Sequence, residues 1–181
     1  MRWSLVAAMM LASIGGYAQK QETIQATAFG TTTMAGRSFG LTIRIESYST
    51  PDEQKALIDA FTSGGHDAMV KVLSKMESKG RVAVTGSVGY QIAYIRNIPT
   101  ANGRTIRLMT DRPINFGESM GYNRSTEYDL TLIEIHLNNK KDKSTGNLVI
   151  GGRFNVDKKT QQIEFESYHS MPWRLVGIME R

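Results

Sequence analysis

The sequence predicts an α+β domain, mainly antiparallel, with about eight strands in a sandwich or partly closed barrel and a two-helix insertion after the second strand. Three observations carry that prediction. Apolar residues recur with period two over most of the chain, two adjacent segments recur with helical period instead, and Asn102-Gly103 is a strong hairpin signal. No period of about 20–50 residues repeats, which argues against a solenoid or propeller. The chain has 181 residues, of which 40% are hydrophobic and 22% charged, in the range of one globular domain.

The first segment reads as a leader rather than as part of the fold. Met1-Arg2 is a short positive start, residues 5–14 are apolar, and Gly16-Tyr17-Ala18 puts small residues where a signal peptidase reads. Residues 1–18 are therefore expected to be a signal peptide cleaved after Ala18, leaving residues 19–181 as a single domain exported to the periplasm or beyond. Loss of Arg2 leaves 21 basic against 17 acidic residues, a net charge of +4. The apolar run is too short to span a bilayer and no later run is longer, so the protein is expected not to be membrane-spanning. Zero cysteines exclude disulfides, thiolate metal sites and a cysteine nucleophile.

The strands follow in order. Residues 24–29 open the domain, and Leu41, Ile43 and Ile45 alternate with Thr42, Arg44 and Glu46 as a half-buried strand. The helices come next. Thr50-Pro51-Asp52-Glu53 combines an N-cap, proline at the first helical position and a capping-box glutamate. Ala56, Leu57, Ala60 and Phe61 form its apolar face, and Gly64-Gly65 is expected to stop it. A second helix has Met69, Val72, Leu73 and Met76 on one face, packed on the sheet rather than forming a soft binding surface, with Gly80 placed to end it. Strand patterning resumes at Val82, Val84, Val88, Tyr90, Ile92 and Tyr94, where Gly86 and Gly89 allow a bend, and continues through Ile106 and Leu108. The remaining strands are expected near 127–138, 147–157, 161–169 and 174–179.

If residues 138 and 147 close one hairpin and 156 and 161 the next, Ile133 opposes Gly152, Ile135 opposes Ile150, and Ile163 opposes Phe154. All the large apolar residues then share one face. Glu134 and His136 fall on the other face with Arg153, Glu164 and Glu166, and Arg153 lies opposite Glu164. On this register His136 and His169 stand two strands apart, about 10 Å, on opposite faces. Zinc ligands must lie within about 2.0–2.2 Å of the metal, so no metal site and no cofactor is expected. Leu130 and Leu132 have the parity opposite to Ile133, which is expected to mark a bulge.

Catalytic signatures are missing from the sequence: it has no G-x-S-x-G, H-E-x-x-H, P-loop or G-x-G-x-x-G. The lysines at 140, 141, 143, 158 and 159 fall in two hairpin turns without an aromatic ladder, so no nucleic-acid partner is expected. An outer-membrane barrel is opposed by Arg44, Glu46, Arg107, Glu134 and Arg153 on the face that lipid would touch.

The most informative segment is the irregular stretch 111–124, longer than an ordinary hairpin loop. Asp111, Arg112, Phe116, Glu118, Tyr122 and Arg124 are the candidate ligand- or partner-binding residues on it. It reads as a lip that meets a small molecule or an envelope protein, with Arg112 or Arg124 facing an anion. The competing reading is a packed loop with Phe116 in the core and Asp111 paired locally. A third reading makes Asp111 and Glu118, with Glu127 nearby, the carboxylates of an envelope hydrolase.

The stretches LMTDRPINFGE at 108–118 and YDLTLIEIH at 128–136, with 152–175, resemble an uncharacterised family of exported bacterial proteins. The resemblance covers about the C-terminal half of the mature chain and implies no activity or cofactor. Lipocalins are the natural comparison for eight strands, but no Gly-x-Trp lies on an early strand. Trp173, after Pro172, is expected to pack. The expected function is thus a non-enzymatic binding protein, with the hydrolase as the alternative and the oligomeric state open.

Overall fold

The computed structural model describes residues 21–32, 35–112, 114, 130–157, 160, 162–166 and 173–181. Strands β1 (Glu22–Phe29) and β2 (Ser38–Ile45) precede helix α1 (Pro51–Leu73). Then come β3 (Gly80–Val84), β4 (Tyr90–Ile92), β5 (Tyr94–Thr100), β6 (Gly103–Met109), β7 (Thr131–Asn138), β8 (Thr145–Ile150), β9 (Arg153–Asp157), β10 (Gln162–Glu166) and β11 (Trp173–Glu180). Nine strands form one antiparallel sheet in the order β4-β3-β2-β1-β11-β8-β7-β6-β5, and β9-β10 is a separate hairpin. The broad class is α+β and mainly antiparallel, as expected.

The sheet curls until its two edges nearly meet. Only Ala93 separates β4 from β5, yet these strands lie at opposite edges. The Ile92 carbonyl accepts from Lys79, just before β3, while the Ala93 N–H donates to Met109 in β6. One bend thus carries the chain from the last edge to the first, leaving a nearly closed barrel with little free edge. At the opposite side of the circumference β1 and β11 are joined through a bulge, the register shifting between Gln25 and Thr27. Gly177 sits in that bulge at φ 59°, a left-handed conformation that glycine adopts without steric cost.

Alternation fills the inside. Ile24, Leu41, Ile43, Val82, Ile95, Ile106, Leu108, Ile133, Ile135, Leu148 and Leu175 join Trp173 in one core cluster. Trp173 stacks at a tilt on Phe39, ring centres 4.8 Å apart, so it packs as expected. Most of these side chains are fully buried, leaving no surface against a water-sized void. The interior is packed with side chains.

A second cluster lies outside the barrel. Tyr94, Met109, Leu132 and Val149 face outward from β5–β8 and meet Leu57, Ile58, Met69 and Leu73 of α1, with Phe154 and Ile163 of the β9-β10 hairpin. Burying β7 on both faces explains why Leu132 and Ile133 are both apolar. The pairing of Thr131 through His136 with β8 is continuous, so the expected bulge is absent there. No described helix is long and apolar enough to cross a membrane.

Four further expectations are corrected. The two helices are one element. They form one continuous element kinked at Gly65, whose non-helical φ 67° and ψ −155° divide it into two halves at the place where the first helix was expected to stop. Gly80 does not end it: the helix closes at Ser74, and Gly80 opens β3, where a Cβ would come 2.1 Å from the Arg44 carbonyl oxygen. The count of eight strands is also too low. The stretch from Val82 divides into β3, β4 and β5, and the stretch from Asn147 divides at Gly151-Gly152 into β8 and β9.

The fourth correction is the register. Ile133 opposes Leu148 and Ile135 opposes Gly146, a slip of four residues from the expected pairing. An even slip keeps every side chain on its own face, so Ile133, Ile135, Leu148 and Ile150 still point inward. Phe154 and Ile163 do not join them. After Gly151 the chain leaves the barrel, and Phe165 opposes Phe154 while Glu166, not Glu164, opposes Arg153.

Candidate functional site

Two of the six candidate residues lie in the described structure, Asp111 and Arg112; Phe116, Glu118, Tyr122 and Arg124 fall outside it. The connection that carries them leaves β6 at Thr110 and re-enters at Leu130. Its base is tied by two buried threonines. The Thr131 hydroxyl accepts from the Ile114 N–H at 2.8 Å, and the Thr110 hydroxyl accepts from the Thr131 N–H at 3.1 Å while donating to the Arg112 carbonyl. Ile114, 4% exposed, reaches into the barrel core. Ile114 thus anchors the connection, and neither its spacing nor its apolar character singles it out among the sequence signals.

Asp111 and Arg112 form a bidentate pair, with Nε and Nη2 of Arg112 donating to the two carboxylate oxygens at 3.0 and 2.9 Å. The hydrogen bond and the negative charge of Asp111 hold the Arg112 guanidinium above its usual pKa. Arg112 remains largely exposed, whereas the Asp111 side chain is mostly covered. The pair leaves the outer edge of the guanidinium exposed and keeps both oxygens of Asp111 occupied. The expected local pairing of Asp111 is therefore present.

Two further polar groups escape the sequence reading. At the end of the barrel where β1 begins and β11 ends, Arg104 donates to Glu22 at 2.6 Å, Glu180 at 2.7 Å and the Tyr48 hydroxyl at 3.0 Å. Burial alone would lower the Arg104 pKa, but its bonds to Glu22 and the surrounding negative groups raise it. Burial also pushes the Tyr48 hydroxyl up to about 12. This cluster closes the barrel with charge-assisted bonds. Arg104 shares the parity of Ile106 and Leu108, the one signal that points it inward.

On the outer face, the Thr105 hydroxyl lies 3.0 Å from Nδ1 of His136, and Nε2 of His136 lies 3.1 Å from Glu134. Hydroxyl, imidazole and carboxylate thus stand in the order of a hydrolytic triad. Thr105 is only 7% exposed, and Glu134 is already paired with Arg107, which also donates to the Ile163 carbonyl at 3.0 Å. A nucleophile must reach its substrate, and this hydroxyl does not. The arrangement ties the β9-β10 hairpin to the barrel. Its partners face each other across β6 and β7, whose register no local pattern specifies.

Among the described residues no three histidine or carboxylate side chains converge on a possible metal position. His136 has Glu134 beside it, while His169 lies outside the described residues. His66 stacks on Phe154 with ring centres 5.1 Å apart. No protein-family model, curated protein or solved structure matches the chain.

Proposed function

We propose that the protein is an exported, non-enzymatic binding protein that engages an envelope partner through the 111–124 connection. The observation that carries this reading is the barrel interior, which among the described residues is filled by buried side chains and so favours recognition at the surface. The anchored base at Thr110, Ile114 and Thr131 supports it, because a loop held at its root presents side chains with less ordering cost. The leader-like residues 1–18 and the likeness to exported bacterial proteins support the location. The hydrolase alternative is weakened by the engagement of both Asp111 oxygens with Arg112.

A photo-crosslinking amino acid placed at Arg112 in host cells should capture one discrete envelope protein, while the same group at Lys140 should not. Changing Arg112 and Tyr122 together to alanine should then weaken binding about tenfold or more, equal to about 1.4 kcal/mol, with the fold intact. Equal capture from both positions, or a chain that begins at Met1 when recovered from the host, would overturn the proposal.

A further inference from the structure

No described element covers the outward face of β3, β2, β1 and β11, and the charges on it are all of one sign. Arg44 lies directly opposite Arg81 across the β2–β3 pair, and Arg174 lies opposite Phe29 across the β1–β11 pair. All three arginines are exposed, and among the described residues none has an ion-pair partner; Arg81 donates only to the Val88 carbonyl at 3.0 Å. No acidic side chain faces outward from these four strands; the nearest in sequence is Glu46, one residue past the end of β2. Like charges directly opposite each other weaken a sheet, so stability does not account for the pair.

Between the arginine rows lie the hydroxyls of Thr27 and Thr42 and the amide of Gln25, with Ala83 on β3 and Val176 and the exposed Met179 on β11. Thr27 and Thr42 are half-buried on the same outward face, and Phe29 at its end is 45% exposed. Four strands of this length make a face roughly 15–20 Å by 25 Å. That is about half of the ~800 Å² which one partner contributes to a stable protein complex, so it suits an extended polymer better than a folded protein. Guanidinium groups match carboxylates, threonine hydroxyls match sugar hydroxyls, and an exposed aromatic ring can stack on a sugar ring. A bilayer surface would engage the charges but leave the threonine rows unused, and no aromatic ladder is present for nucleotide bases.

We infer that this face binds an acidic polysaccharide, with Arg44, Arg81 and Arg174 meeting its carboxylates and Thr27 and Thr42 its hydroxyls. The inference is independent of the role of the 111–124 connection.

The test uses the full mature chain with polygalacturonate, neutral dextran and phosphatidylglycerol vesicles at low ionic strength. Polygalacturonate should bind and dextran should not. Changing Arg44 and Arg81 together to threonine should weaken polygalacturonate binding about tenfold. Removing the same charge at Lys71 and Lys75, at the end of α1 on the β5–β8 side of the barrel, should weaken it less than about threefold. Changing Thr27 and Thr42 to valine should weaken polygalacturonate binding and leave vesicle binding unchanged. If the double arginine variant unfolds, Arg44→Thr alone should still lose affinity. Equal losses from the arginine and lysine pairs, no effect of the threonine changes, or tighter binding to vesicles than to polygalacturonate would each overturn the inference.

Discussion

Around β5–β8 the outside of the barrel is apolar and covered; around β3, β2, β1 and β11 it is cationic and open. On the covered side Tyr94, Met109, Leu132 and Val149 are sealed by α1 and the β9-β10 hairpin, and Arg107 is neutralised by Glu134. On the open side Arg44 faces Arg81 with no carboxylate between them. Both sides share one packed interior, so neither arrangement is forced by the barrel itself. The difference teaches where the chain spends residues on stability and where it leaves chemistry free for a partner.

That contrast makes Phe154 the most sensitive point outside the barrel. It packs on Phe61 with ring centres 5.0 Å apart and on His66, and Phe154→Ala should cost about 3–5 kcal/mol in urea unfolding through lost burial and an unfilled cavity. A loss of less than about 1 kcal/mol would mean that the hairpin does not cover the sheet. Next comes Arg107→Ala, which removes the cation paired with Glu134 and the donor to the Ile163 carbonyl. Its expected cost is about 1–3 kcal/mol, with faster hydrogen exchange in β9 and β10 before the barrel opens.

A smaller effect is expected at the start of α1. The Glu53 side chain accepts from the Thr50 N–H and pairs with Lys79 Nζ at 2.6 Å. Burial would raise its pKa, but the bonds from Lys79 and Thr50 bring it below the ordinary 4.5. A carboxyl with a depressed folded-state pKa stabilises the protein above its unfolded value, and that contribution disappears as pH falls through the folded value. Glu53→Ala should therefore cost about 1 kcal/mol at neutral pH, and melting curves of the two proteins should converge in acid well below pH 4.5. A gap that persists there would assign the loss to packing rather than charge.

The smallest effect belongs to the open face. Arg44→Thr should change stability by less than about 0.5 kcal/mol, and in the stabilising direction, because it removes a like charge opposite Arg81. A clear destabilisation would show that the arginine stem covers the sheet, and the two sides would then differ less than their charges do.

Local features were legible in the sequence wherever a few neighbouring residues determine the outcome. The capping box at Thr50 and Glu53 formed as expected, and Asn102-Gly103 joins β5 to β6. Alternation placed Leu41, Ile43 and Ile45 inside because a pleated strand leaves no other choice. The candidate site was legible only in part. Asp111 pairs locally, but the anchor is Ile114, whose burial depends on Thr131, seventeen residues further on.

What the sequence determined by itself was therefore the broad class, the helical segment after the second strand, and the apolar face of β2 and β7, since these follow from side-chain period and turn chemistry. Tertiary structure decided the rest. The four-residue slip between β7 and β8 preserves the apolar faces, so the hydrophobic pattern cannot tell the two registers apart, and pairing along the whole barrel selects one. The closure through Ala93, the departure of the chain at Gly151 and the joining of Arg104 to Glu22 and Glu180 depend on residues far apart in sequence. Such contacts form only once loop-closure entropy has been overcome by the burial of the entire core, and no short window of sequence records that balance.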